Sequence, residues 1–152
     1  MLQIKTKEAL FNQCKNYVNQ RLQTVEEIIS SNQKALQSET KSSAGDKHET
    51  GRAMLQLEME KAGQQLSGIT QMKEILAKID IDKTSEIAHL GSVINTNVAN
   101  YFLSISTGKI TVNAQDYFAI SVSSPIGKLL LGKKENDEVV FNGKSIKIKS
   151  VF

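Results

Sequence analysis

Two stretches of the chain carry apolar or small residues at alternating three- and four-residue steps, and this spacing restricts the possible folds more than any other feature. The first runs Phe11, Cys14, Val18, Leu22, Val25, Ile29 and Leu36, with Asn32 in the place between the last two. The second runs Leu55, Met59, Ala62, Leu66, Ile69, Met72, Leu76 and Ile79. Such spacing draws one narrow stripe along an α-helix. The remaining faces are rich in Gln, Asn, Glu and Lys, so neither helix can bury itself in a large core, and each is expected to bury the other. The expected arrangement is an antiparallel hairpin with arms about 30 residues long, roughly 45 Å at the standard helical rise. Asn32 on the seam reads as a polar interruption of the kind that sets register.

The pattern changes after Asp80. IDIDKTSE is polar and lacks a helical period, so the chain divides into residues 1–80, the helical hairpin, and residues 81–152, a small β domain. GSVINT, NYFLSIS, FAISVS, EVVFN and KSIKIKSV are short and rich in β-branched or aromatic residues, as strands are. Asn142-Gly143 between the last two marks a type I′ hairpin, whose turn needs positive φ at both positions. In KSIKIKSV the lysines alternate with Ile146 and Ile148, the pattern of a half-buried strand, and outward Lys147 and Lys149 would protect a sheet edge. One short helix interrupts the strands, with Ser124 as N-cap, Pro125 at the first helical position and Gly132 at its close. The fold class is α+β: a long N-terminal antiparallel coiled coil followed by a small β domain with one short helix.

Between the two helical stretches lies SSAGDKHETG, residues 42–51, at the expected turn of the hairpin. Asp46 and Glu49 stand three residues apart there. Asp46-Lys47-His48-Glu49 is a capping-box pattern, with Asp46 as N-cap and Glu49 returning to its backbone N–H, and both charges suit a helix N-terminus. The same two carboxylates on one turn could also reach a single metal ion or its water shell. Lys41, Lys47 and Arg52 surround the turn and could contact phosphates as positioning charges or stand as ordinary solvated residues. His48 stands where a proton donor would be useful, although a lone exposed His usually has no role, and His89 near the junction gives no better signal.

Composition narrows the partners. With 19 Lys and Arg against 16 Asp and Glu, the net charge is +3, far from the basicity of a protein that holds duplex nucleic acid by counterion release alone. The single Cys14 can form neither an internal disulfide nor a zinc site, which fits a reducing compartment. No apolar run approaches the roughly 20 residues that cross a bilayer, and MLQIKTKEAL lacks the order of a signal peptide. A cytoplasmic protein without membrane contact is expected.

The stretch SPIGKLLLGKKENDEV, Ser124 to Val139, resembles the C-terminal signature of the Gre family of bacterial transcript cleavage factors, and Ile120 to Ser123 extends the likeness. The order of a coiled coil followed by this domain is also similar. At the turn, Gly45, Asp46 and Glu49 fall on the family's Gly, Asp and first Glu, whereas Thr50 stands where Asn is usual and Gly51, Arg52 and Ala53 replace small, acidic and aromatic positions. The resemblance implies a C-terminal domain similar to FK506-binding proteins and a monomer whose coiled coil enters the secondary channel of bacterial RNA polymerase. It implies docking of residues 81–152 at the channel's rim, with contact residues that the sequence does not pick out.

Its further implication is chemical. Hydrolysis of a backtracked transcript uses two metals, one activating water and one stabilising the leaving oxygen, and the polymerase holds the second weakly. Asp46 and Glu49 would help retain that magnesium and orient water near the nascent RNA 3′ end, with Lys41, Lys47 and Arg52 on the RNA. The protein would then bind no cofactor alone, share Mg²⁺ with the polymerase, and stimulate the polymerase's endonuclease without being an enzyme itself. Three other readings stand beside it. A secondary-channel regulator without cleavage stimulation fits the altered Thr50–Ala53 flank. A prolyl isomerase would need an aromatic-lined pocket, for which Tyr101, Phe102, Tyr117, Phe118, Phe141 and Phe152 are the available rings. A structural adaptor would use the seam to recruit partner helices or to dimerise.

Overall fold

The computed structural model describes residues 2–41 and 45–152, the side chains of 39–48 excepted. Its elements are α1 (Leu2–Lys41), α2 (Gly45–Ala77), β1 (Val93–Thr96), β2 (Asn100–Ser104), β3 (Gly108–Val112), β4 (Gln115–Ser121), α3 (Pro125–Leu130), β5 (Glu138–Phe141) and β6 (Lys144–Val151). Two compact units result, one of Val18–Met72 and the other of Met1–Tyr17 with Lys73–Phe152.

In the helical unit, Val18, Val25 and Asn32 of α1 and Ala62 and Ile69 of α2 are buried at heptad spacing. Leu22, Ile29, Leu36, Leu55, Met59, Leu66 and Met72 are half-buried between them. The seam therefore follows the sequence stripe. Counting outward from the turn pairs Val18 with Ile69, Val25 with Ala62 and Asn32 with Leu55, as two helices folded back on each other require. The Nδ2 of buried Asn32 meets no hydrogen-bond partner, a loss that costs about 1–3 kcal/mol for a buried donor.

The other unit is built on a six-stranded sheet in the order β3-β4-β2-β1-β6-β5. Its pairings are antiparallel except β2 with β4, which run parallel with Tyr101 opposite Phe118. β3 is absent from the sequence reading. It pairs with β4 through the turn Val112-Asn113-Ala114-Gln115, where Asn113 and Ala114 both have positive φ, 51° and 63°. That is the dihedral demand of a type I′ turn with Ala in the place Gly usually takes, so the usual sequence signal is missing. The second hairpin does carry it: Asn142 and Gly143 lie at φ 52° and 77° between paired Phe141 and Lys144.

β6 is an interior strand between β1 and β5, so Lys147 and Lys149 do not guard a sheet edge. Their exposure beside buried Ile146 and Ile148 follows from strand alternation alone. On one sheet face, Ile94, Leu103, Ile146 and Ile148 form a core with Leu130 of α3, Val139 and Ala88. The beginning of α1 is fixed to the sheet by Cys14 Sγ, 3.5 Å from Ser104 Oγ, and by Gln13 Nε2, which donates to the Thr111 carbonyl at 3.2 Å.

Here the apolar stripe and the buried set part company. Leu10 is fully buried while Phe11 is half-buried, and Lys7, only 1% exposed, is among the largest fully buried side chains. Lys7 Nζ donates to the Lys83 carbonyl at 3.0 Å and stands 5.9 Å from the centre of the Phe152 ring. One ammonium thus joins the start of α1, the segment after α2 and the chain's last residue. Burial lowers the Lys7 pKa from its ordinary 10.5, and the nearby Asp80 charge offsets part of that.

Two outcomes follow from these positions. Ala114→Gly removes the left-handed penalty of an L side chain, about 1 kcal/mol, and raises the thermal midpoint by about 2–4 °C. Because the folded Lys7 pKa is lowered, the unfolded chain binds more protons between that value and 10.5, and stability rises with pH across this alkaline window. Lys7→Met abolishes the alkaline rise and changes stability at pH 7 by no more than about 1 kcal/mol in the destabilising direction, measured by urea unfolding at pH 7 and above 9.

Candidate functional site

α2 begins at Gly45, so Asp46 lies inside the first turn and does not take the N-cap place that the capping-box reading gives it. Positions 46 and 49, three apart on a helix, share one face. They stand where the unpaired N–H groups and the positive end of the helix dipole favour negative charge. Glu49 and Arg52 are exposed. The side chains of Lys41, Asp46, Lys47 and His48 lie outside the described residues.

The donor set bears on magnesium. Carboxylate oxygens are the ligands that Mg²⁺ prefers, and it is commonly bound through one or two of them with water and substrate phosphate completing the octahedron. Asp46 and Glu49 could supply those two. Among the described residues, no cluster of three or more His, Cys, Asp or Glu is gathered to hold a metal.

The Ser-Pro-Ile-Gly segment is defined by its hydrogen bonds. Ser124, extended at φ −69° and ψ 157°, accepts at Oγ from the Gly127 N–H at 3.1 Å and donates from the same hydroxyl to the Ser121 carbonyl at 2.6 Å. The cap therefore fastens α3 to the end of β4. Gly127 is buried in that fastening: a Cβ there would sit 2.0 Å from the Ser121 carbonyl oxygen. After α3, the Gly132 N–H donates to the Ala88 carbonyl and the Ala88 N–H to the Lys133 carbonyl, both at 2.8 Å. The Lys134 N–H donates to Asp137 Oδ2 at 2.9 Å, which shapes the acidic turn before β5. Ser124, Gly127 and Asp137 of the signature thus belong to a structural clasp around α3, each held there by a bond or a close approach.

Residues 105–151, which span α3 and the β3–β4 and β5–β6 hairpins, match the family model described as "Transcription elongation factor, GreA/GreB, C-term". Over these residues the chain is similar to the C-terminal domain of the Gre factors. No curated protein matches the chain. The Gre match covers β3 to β6 and α3, and it ends at Val151. It supports assignment as a transcription elongation factor. The helical pair, with Asp46, Glu49, Lys41, Lys47 and Arg52, lies outside the matched residues.

The sequence reading missed Lys7 because nothing local marks a buried lysine: Lys7 lies in α1 amid the exposed Lys5 and Glu8. His89 was passed over as well. It is held by Ser92, whose buried Oγ accepts from the His89 backbone N–H and lies 2.9 Å from Nδ1, an arrangement that shapes the approach to β1. Of the six rings considered for an isomerase pocket, Phe102, Tyr117 and Phe152 are buried in the sheet unit. Tyr101 and Phe118 are ring neighbours, 6.3 Å between centroids.

Gly127→Ala is expected to cost about 1–3 kcal/mol, the range for forcing added bulk into a packed site. The measurement is the urea midpoint of the whole chain. An unchanged midpoint would mean that the Ser124 clasp does not hold α3 as described.

Proposed function

We propose that this protein is a Gre-type factor that binds bacterial RNA polymerase, inserts its helical pair into the secondary channel and stimulates cleavage of backtracked transcripts. The observation that carries the proposal is the GreA/GreB C-terminal domain match across residues 105–151. The setting of positions 46 and 49 on one face of the first turns of α2 supports it. In this reading Asp46 and Glu49 raise the occupancy of the weakly held second magnesium and orient the attacking water. Lys41, Lys47 and Arg52 stabilise the phosphates near the nascent RNA 3′ end. The polymerase supplies the remaining ligands, and residues 81–152 dock at the channel's rim. The factor acts as a cytoplasmic monomer and cleaves nothing alone.

A second reading shares the partner and omits the chemistry. The sequence Thr50-Gly51-Arg52-Ala53 departs from the family pattern next to the two carboxylates, which favours a channel-binding regulator that does not stimulate cleavage.

Stalled elongation complexes of the cognate polymerase separate the two. With wild-type factor the transcripts shorten from the 3′ end. Asp46→Asn and Glu49→Gln each slow shortening by about 10- to 100-fold while competing for the polymerase as well as wild type does, and added Mg²⁺ partly restores the rate. A wild-type protein that binds without shortening transcripts would sink the cleavage reading and leave the regulator.

A further inference from the structure

We infer that the seam layer at Asn32 is a built-in weak point, at which residues 33–38 and 49–56 of the helical pair open while residues 18–25 and 62–69 stay closed. Asn32 is 7% exposed and its Nδ2 has no acceptor. A seam asparagine that sets register normally does so by bonding across the interface. This one makes no such bond and leaves a desolvated donor where an apolar side chain would pack. Closing the helices at this layer therefore stabilises less than closing them at the buried Val18, Val25, Ala62 and Ile69.

The packing on either side of the layer differs in the same sense. Away from the turn, Val25, Val18, Ala62 and Ile69 are buried. On the turn side, the described residues include no fully buried apolar side chain, and Ala35, Leu36, Gly51 and Leu55 are half-buried only. Met54 and Leu57, beside the layer on α2, are 60% and 65% exposed, so two large apolar side chains near the weak point contribute little to the seam. A segment with few buried contacts, bounded by an unsatisfied buried polar group, opens as a unit of its own. The inference concerns the free protein and stands whether or not the cleavage reading does. Under that reading, only the closed fraction would present positions 46 and 49 productively.

Amide hydrogen exchange of the full-length free protein tests it. Backbone amides of residues 33–38 and 49–56 are expected to exchange faster than those of 18–25 and 62–69. Asn32→Leu and Asn32→Val are expected to slow the turn-side set by about ten-fold or more and leave the other set unchanged. Simple fraying at the turn would also give fast exchange, but it would not respond to residue 32. Equal exchange rates on both sides in the wild type, or turn-side rates untouched by both substitutions, would overturn the inference. So would failure of both variants to fold, because it would show Asn32 to be required by the closed seam.

Discussion

The narrowness of the apolar stripe on each long helix governs the helical half of this molecule. A stripe two residues wide cannot be covered by a sheet or a broad core without leaving polar side chains stranded, but it matches a second stripe of the same kind. Pairing α1 with α2 therefore satisfies both helices at once. The same economy leaves the pair with little burial to spare. Val18, Val25, Ala62 and Ile69 carry the seam, so a single polar residue at Asn32 has a local effect that a thicker core would absorb.

The sheet unit depends on a different kind of constraint, the joining of segments distant in the chain. Lys7, the Lys83 carbonyl and the Phe152 ring meet in one place, and Cys14 reaches Ser104. The clasp at Ser124 and Gly127 then closes α3 onto the end of β4. These contacts account for the residue types of the Ser124–Gly127 segment. Its serine, proline and glycine are fixed by a cap, a first-turn preference and a forbidden Cβ, before any partner is considered.

Much of this was legible in order along the chain, and the misses have physical causes. The seam stripe, the Ser124 cap and the Asn142-Gly143 turn could be read because each depends on residues within a few positions of one another. β3 was missed because its turn places Ala114, in place of glycine, at positive φ. Lys147 and Lys149 were assigned to a sheet edge because alternation reveals a strand's two faces and says nothing about its neighbours. The candidate carboxylates were legible as a pair, but the capping-box spacing, with Asp46 as N-cap, suggested a helix start two residues later than Gly45.

By itself the sequence determined the type of every element but β3, the antiparallel pairing of two long helices, the cap of α3, one hairpin turn and the likeness of Ser124–Val139 to a known domain. All of these are set by local periodicity, short-range hydrogen bonding and dihedral preference. Only the tertiary structure decided the strand order, the parallel pairing of β2 with β4, the burial of Lys7 and the orphaned amide of Asn32. Those depend on which distant segments meet. Whether a polar atom finds a partner is a property of the surroundings that folding assembles around it, and the residue's own position in the sequence cannot supply it.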